Sequence, residues 1–323
     1  MRFMMLPTRP QLLCAALLCS LLFGGPFGCL PAGEAPAEDR LNADAYSELD
    51  SGLDSAPDSA PDSANNPPPF HPTDLDGLAL LFDADSEASL EMTSQGLVYQ
   101  WRDLSGGDNH AYQAIDRHMP VYRAGSQAGR TALEFDGSYL TTSEVLQLRS
   151  TGQGYTVFAV ASNTVADDAD GTEGRGGILL GNYRRPHSNF SVELHHARKL
   201  RHWWDRREEF GDPADENRGD AIFDTPRPDQ DTFAILTFFL DASEHTVGAA
   251  VDGEFAESLP DDGFVYEVQR PLRIGADYRE QNLPTAWNGS IGEILVYHRL
   301  LSESEMEEVH QYLSLKWEIP LVE

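Results

Sequence analysis

The stretch His195-His196-Ala197-Arg198-Lys199-Leu200-Arg201-His202-Trp203-Trp204-Asp205-Arg206-Arg207 gathers cations and indoles in a chain whose formal net charge is −30. An indole face can stack on a sugar ring, and arginine or histidine beside it adds donors and positive charge for a polar or anionic glycan. The segment reads as a strand, a turn near Arg198-Lys199 and a returning strand. Neighbouring side chains on a strand point to opposite sides, so one of Trp203 and Trp204 enters the core and the other faces outward. Arg201, His202, Trp203 and Trp204 are therefore the candidate ligand-binding residues. The alternative is that the basic groups balance local acids while both indoles pack. His195, His196 and His202 are poorly arranged for a three-ligand metal site, because adjacent histidines on a strand diverge.

Two acidic segments have oxygen-rich chemistry. Asp168-Ala169-Asp170-Gly171 shares the acid-x-acid-Gly core of calcium loops, which makes Asp168 and Asp170 candidate metal ligands. The full loop pattern is absent: no acid sits two residues before Asp168, and none follows at the distant bidentate position. A solvated acidic loop is the plainer reading, and calcium is the one cofactor left open. Asp103-Leu104-Ser105-Gly106-Gly107-Asp108-Asn109 reads first as an Asx-type turn, with a calcium loop as the alternative. No strand carries the Glu-x-Asp-x-x-Glu glucanase pattern, and no Ser-His-Asp or His-Glu-x-x-His arrangement is present. The chain reads as non-catalytic, with a glycoside hydrolase using a non-standard acid pair as an alternative.

The elements that must position these residues are strands. Short runs rich in β-branched and aromatic residues recur from Leu78 to Tyr297, separated by Gly, Asp, Asn and Pro clusters. They include Leu78 to Phe82, Leu97 to Trp101, Tyr155 to Ala161, Phe190 to Leu194, Leu200 to Trp204, Phe233 to Leu240 and Thr246 to Val251. This pattern predicts an all-β, two-layer antiparallel sandwich. Gly289 to Tyr297 reads as one more strand. Ser302 with Glu305 three residues on is a capping-box signature, and Met306, Val309, Tyr312, Leu313 and Trp317 recur at helical spacing. A short C-terminal helix with one apolar stripe should therefore fold back onto the sheet.

Two blocks resemble a known family. Gly289-Ser-Ile-Gly-Glu-Ile-Leu-Val-Tyr297, then Arg299, Leu301-Ser302, Glu305 and Tyr312-Leu313 to Lys316-Trp317, form the first. Trp101-Arg102-Asp103-Leu104-Ser105-Gly106-Gly107-Asp108-Asn109-His110-Ala111, with Ala132 to Gly137 and Tyr139-Leu140, forms the second. Together they resemble laminin-G-like domains of the concanavalin A-like lectin/glucanase superfamily, over about residues 75–320. The resemblance implies a jelly roll of two curved sheets. It leaves the ligand open, because such domains serve as lectins, adhesion modules, enzyme appendages and enzymes.

The N-terminal part has a different character. Arg2 and Arg9 precede an apolar run from Leu12 to Phe23, the pattern of an export signal, and the run is too short for a comfortable membrane span. Gly28-Cys29 fits a bacterial lipoprotein signal, with Cys29 as the lipidated residue, although Pro26 and Phe27 depart from the usual pattern. Cleavage after Ala35-Pro36-Ala37 is the alternative. Residues 30–70 repeat Asp-Ser-Ala-Pro and read as a disordered acidic tether. All three cysteines, Cys14, Cys19 and Cys29, precede it, so a domain over 71–323 contains neither disulfides nor thiolate metal sites. The acidic balance argues against nucleic acid and anionic membranes as partners, leaving a lipid anchor as the membrane contact. These readings converge on a tethered module that binds carbohydrate or a glycosylated surface partner. It would reside at the outer membrane or cell surface, or else in the periplasm or outside the cell. A purely protein-binding adhesion domain is the main alternative.

Overall fold

The computed structural model describes residues 69–149, 152–165, 177–182, 189–194, 199–205, 218–226, 228–261, 268, 270–278 and 286–322. Cys29, Asp168, Asp170, His195 and His196 lie outside these residues, as do the export-signal segment and residues 30–68 of the tether. Residues 66–323 form one compact unit.

In chain order the strands are β1 (Leu78–Asp83), β2 (Leu90–Met92), β3 (Val98–Trp101), β4 (Ala111–Tyr112), β5 (Val121–Gln127), β6 (Arg130–Asp136), β7 (Leu140–Thr142), β8 (Tyr155–Ala161), β9 (Gly177–Gly181), β10 (Asn189–Leu194), β11 (Leu200–Asp205), β12 (Arg218–Ile222), β13 (Ala234–Asp241), β14 (Thr246–Val251), β15 (Glu254–Phe255), β16 (Leu259–Pro260), β17 (Arg273–Ile274) and β18 (Asn288–Tyr297), followed by helix α1 (Glu303–Trp317). They form two antiparallel sheets. The first runs β15-β14-β13-β8-β18-β6-β5, and the second β12-β11-β10-β9-β17-β7-β4-β3-β2. β18 is the central strand of the first sheet. Its first half pairs with β6, its second half with β1, and β8 runs along its other side. The fold is the two-sheet sandwich that the spacing of the apolar runs predicts.

Alternation along each strand builds the interior. Phe82, Val157, Phe238 and Ile294 of the first sheet meet Trp101, Leu180, Phe190 and Ile274 of the second, all buried in one cluster. The opposite residues of the first sheet, among them Phe158, Val160, Ile235 and Leu295, form a second cluster with Met306, Val309, Leu313 and Trp317 of α1. The helix thus covers the outer side of the first sheet. Gly292 permits this contact, since a Cβ there would lie 2.3 Å from the Trp317 indole.

Polar groups fix the helix in place. Glu293 is fully buried beneath it. Its carboxylate accepts from Trp317 Nε1 at 2.8 Å and from the Tyr312 hydroxyl at 3.0 Å, and pairs with Lys316 Nζ at 2.8 Å. Lys316 also reaches Asp83 at 2.7 Å. Tyr312, placed by its spacing in the apolar stripe, is thus half-buried with its hydroxyl engaged. The capping box forms: the Glu305 amide donates to Ser302 Oγ at 3.3 Å and the Ser302 amide to Glu305 Oε2 at 2.8 Å. The hydrogen-bonded Arg299 guanidinium, aided by Ser302, holds the Glu305 carboxyl down to about 2.

The turn between β14 and β15 carries a testable titration. Asp252 and Gly253 have φ of 50° and 85°, the pair of positive values that a type I′ turn requires. Burial pushes the Asp252 carboxyl up to about 6, against the Ile235 amide that donates to it at 2.7 Å. The folded state therefore holds this proton more tightly than the unfolded chain. Stability falls as pH rises from about 4 to 6, and the cost persists above that. Asp252→Asn keeps an acceptor for Ile235 and tolerates the turn. Allowing for solvent screening, it should stabilise the domain by about 1 kcal/mol at pH 7, with the gain vanishing near pH 4. Thermal melts of both proteins at the two pH values check this; an equal gain at both would contradict it.

Candidate functional site

With α1 on the first sheet, the outer side of the second sheet is the broad face left for a ligand. Register assembles one continuous row across it: Glu91, Gln100, Tyr112, Thr141, Arg273, Gly181, Ser191, Trp203 and Asp220. Successive members sit on neighbouring strands and share one side of the sheet. Tyr112 is 42% exposed, Trp203 is half-buried and Asp220 is exposed. Five strand spacings separate Tyr112 from Trp203, roughly 24 Å. Between the two aromatic residues Thr141 and Arg273 are half-buried, and Gly181 and Ser191 are buried.

Its middle is organised by Arg273. The guanidinium lies 4.2 Å from the Tyr139 ring centroid and 3.8 Å from that of Tyr278. Arg273 Nη1 donates to the Asp277 carbonyl at 2.8 Å, and the Tyr278 hydroxyl donates to the Pro271 carbonyl at 3.1 Å. Arg270 stands 5.4 Å from the same Tyr278 ring. The His118 imidazole is 5.4 Å from the Tyr139 ring. Burial, with the Arg117 and Arg273 charges, lowers the His118 pKa.

The four residues expected to bind ligand divide between the two sides of β11. Trp203 and Arg201 lie on the outer side, whereas Trp204 is 3% exposed and His202 fully buried. Trp204 needs Gly219 opposite it, because a Cβ there would lie 1.9 Å from the indole. The Arg149 guanidinium sits 5.5 Å from the Trp204 ring. His202 bonds the Tyr155 hydroxyl, and burial, helped by the Arg149 charge, holds its pKa well below the ordinary histidine value. Strand alternation thus corrects the expectation for Trp204 and His202: they belong to the interior, out of reach of a surface ligand. Arg201 donates to Asp220 at 2.5 and 2.6 Å and to Glu193 at 2.6 Å. It balances local acids, as the alternative reading of this segment has it.

Asp103 makes the Asx-type turn. Its Oδ1 accepts from the Leu81 and Ser105 amides at 3.0 and 2.9 Å. Its Oδ2 accepts from Ser105 Oγ at 2.9 Å and the Asn109 amide at 3.1 Å. The carboxylate is filled by donors and ties this loop to β1. Among the described residues no group of three or more His, Cys, Asp or Glu side chains could hold a metal ion. Burial pushes up the carboxyls of Glu293, in the first sheet, and Asp252, in the turn between two of its strands.

No protein-family model matches the chain, and no curated protein matches it. Solved structures do. The binding domain of Paraclostridial Mosquitocidal Protein 1 is 15% identical, with a TM-score of 0.50 over 74% of this chain and 53% of that one. The botulinum neurotoxin serotype D binding domain is 11% identical, with a TM-score of 0.52 over 76% of this chain and 54% of that one. A second structure, the receptor binding domain of botulinum neurotoxin D, gives 0.52 and 11% over 76% of this chain and 56% of that one. What they share is a fold. The chain spans about half the length of these proteins, and at such identities the likeness extends to the β-rich architecture alone.

Proposed function

We propose that this protein is a non-catalytic, laminin-G-like module that binds carbohydrate or a glycoconjugate on the outer side of its second sheet. The observation that carries the reading is the register row, in which Tyr112 and Trp203 stand on the same side of the sheet as the half-buried Thr141 and Arg273, on the face α1 does not cover. Sugars present apolar ring faces and a rim of hydroxyls, so aromatic platforms set among polar groups suit them. The similar solved structures are described as binding or receptor binding domains, in keeping with this use of the fold. The N-terminal pattern adds an export signal, lipidation at Cys29 and a tether that would present the module at a cell surface.

A glycan array with the full chain tests the reading, followed by titration calorimetry on the best ligand. Trp203→Ala and Tyr112→Ala should each weaken binding five- to tenfold, the loss of roughly 1 kcal/mol of ring stacking. Both side chains are partly exposed, so the melting temperature should change little. Silence across the array, or ligands indifferent to both substitutions, would remove this face as the site. Mass spectrometry of the mature N-terminus tests the anchor: a chain beginning after Ala37 would exclude lipid on Cys29.

A further inference from the structure

The centre of the proposed face holds two arginines that form no ion pair with a described carboxylate. Arg102, Arg123, Arg130, Arg149, Arg201 and Arg299 each pair with an Asp or Glu. Arg270 and Arg273 pair with none among the described residues, in a chain with 53 acidic residues against 23 basic. Both guanidiniums lie against the Tyr278 ring, and Arg273 is also flanked by Tyr139. The Nε atoms of both arginines are buried and have no hydrogen-bond partner among the described residues. The adjacent Asp277 supplies its carbonyl to Arg273, and its own carboxyl is buried.

A guanidinium stacked on aromatic rings has its plane fixed, so its N–H groups stand ready at defined angles. That geometry matches the paired oxygens of a carboxylate or sulfate, which a neutral hydroxyl satisfies less well. We infer that Arg270 and Arg273, braced by Tyr139 and Tyr278, form the subsite for an oxyanion on a bound sugar. This inference rests on the proposed glycan-binding role of the face. The net charge limits the ligand further. A long polyanion would meet repulsion along the whole acidic surface, whereas a single oxyanion within the roughly 8 Å screening length senses mainly the two arginines. The favoured ligand is therefore an oligosaccharide carrying one acidic residue.

The test is an array of neutral oligosaccharides, each printed beside its single-uronate and single-sulfate forms, probed with the full chain. The acidic forms should bind at least tenfold more tightly than their neutral parents, and the preference should weaken with added salt. Arg270→Gln should erase most of the preference while leaving neutral binding in place, whereas Arg273→Gln, which alters the row itself, should erase the preference and weaken neutral binding as well. Arg273→Lys should fail to restore it, since an ammonium lacks the planar fork. A preference for uronates alone, sulfates alone or both supports the inference and identifies the source of the oxyanion. Equal binding of neutral and acidic forms, or a preference that survives both glutamine variants, overturns it and leaves the glycan reading standing. Silence toward every sugar overturns both. Should Arg273→Gln fail to fold, Arg270→Gln and the wild-type ratio of acidic to neutral binding still decide the question.

Discussion

Glu293→Ala is expected to destabilise the domain by about 4 kcal/mol and to lower its melting temperature by roughly 10 °C. The carboxylate is buried between β18 and α1, where it serves three partners at once: Lys316, the Trp317 indole N–H and the Tyr312 hydroxyl. Alanine leaves the Trp317 indole N–H and the Tyr312 hydroxyl without their acceptor, leaves Lys316 with Asp83 alone, and opens a cavity beside them. Groups left unpaired inside a protein cost more than their bonds return when formed. Glu293→Gln keeps an acceptor for the indole and loses only the charge, so it should sit between the two. Differential scanning calorimetry of the three proteins measures the order. An alanine variant melting within 2 °C of the parent would show that α1 is held by its apolar stripe alone.

Asp261→Ala should have a similar effect by a different route. Arg149 and Asp261 pair at 2.6 Å with both side chains shielded from solvent, and the guanidinium lies against Trp204. Removing the buried carboxylate takes from a buried guanidinium the ion pair it makes at 2.6 Å, a loss of about 3–5 kcal/mol. The double variant Arg149→Met with Asp261→Leu should recover most of that stability, because it removes the stranded ion as well as its partner. Urea unfolding followed by tryptophan fluorescence reports both the stability and the environment of Trp204. A double variant no better than the single one would mean that shape, and not charge, governs this site.

The long strands were legible because burial on one or both sides leaves a strong apolar signature. Tyr155–Ala161, Thr246–Val251 and the segment that became β18 all carry it. β5 and β12 carry none. Val121–Gln127 is mostly exposed or half-buried, and Arg-Gly-Asp-Ala-Ile at 218–222 has a glycine and two charges. Both lie at sheet edges, where backbone pairing holds a strand that its side chains do not announce. The site was harder still. Trp203 stood out beside its basic neighbours, but Tyr112, Thr141 and Arg273 sit on strands of two or three residues. The strands of Tyr112 and Thr141 are too short for periodicity, and although Leu272 to Ile274 reads as a strand, only the register between distant segments places Arg273 in one row with them.

The position of β18 also shapes how the molecule is made. Leu80 pairs with Val296 across more than two hundred residues, and β8 gains its second neighbour only when residues 291–297 arrive. Until that segment leaves the ribosome, the first sheet is split down its middle and the helix has nothing to dock on. Nascent chains should therefore stay open and sensitive to protease through most of synthesis, then close in a single late step governed by non-local contacts. A chain that closes so late exposes its sheet edges to chaperones and proteases for most of its synthesis.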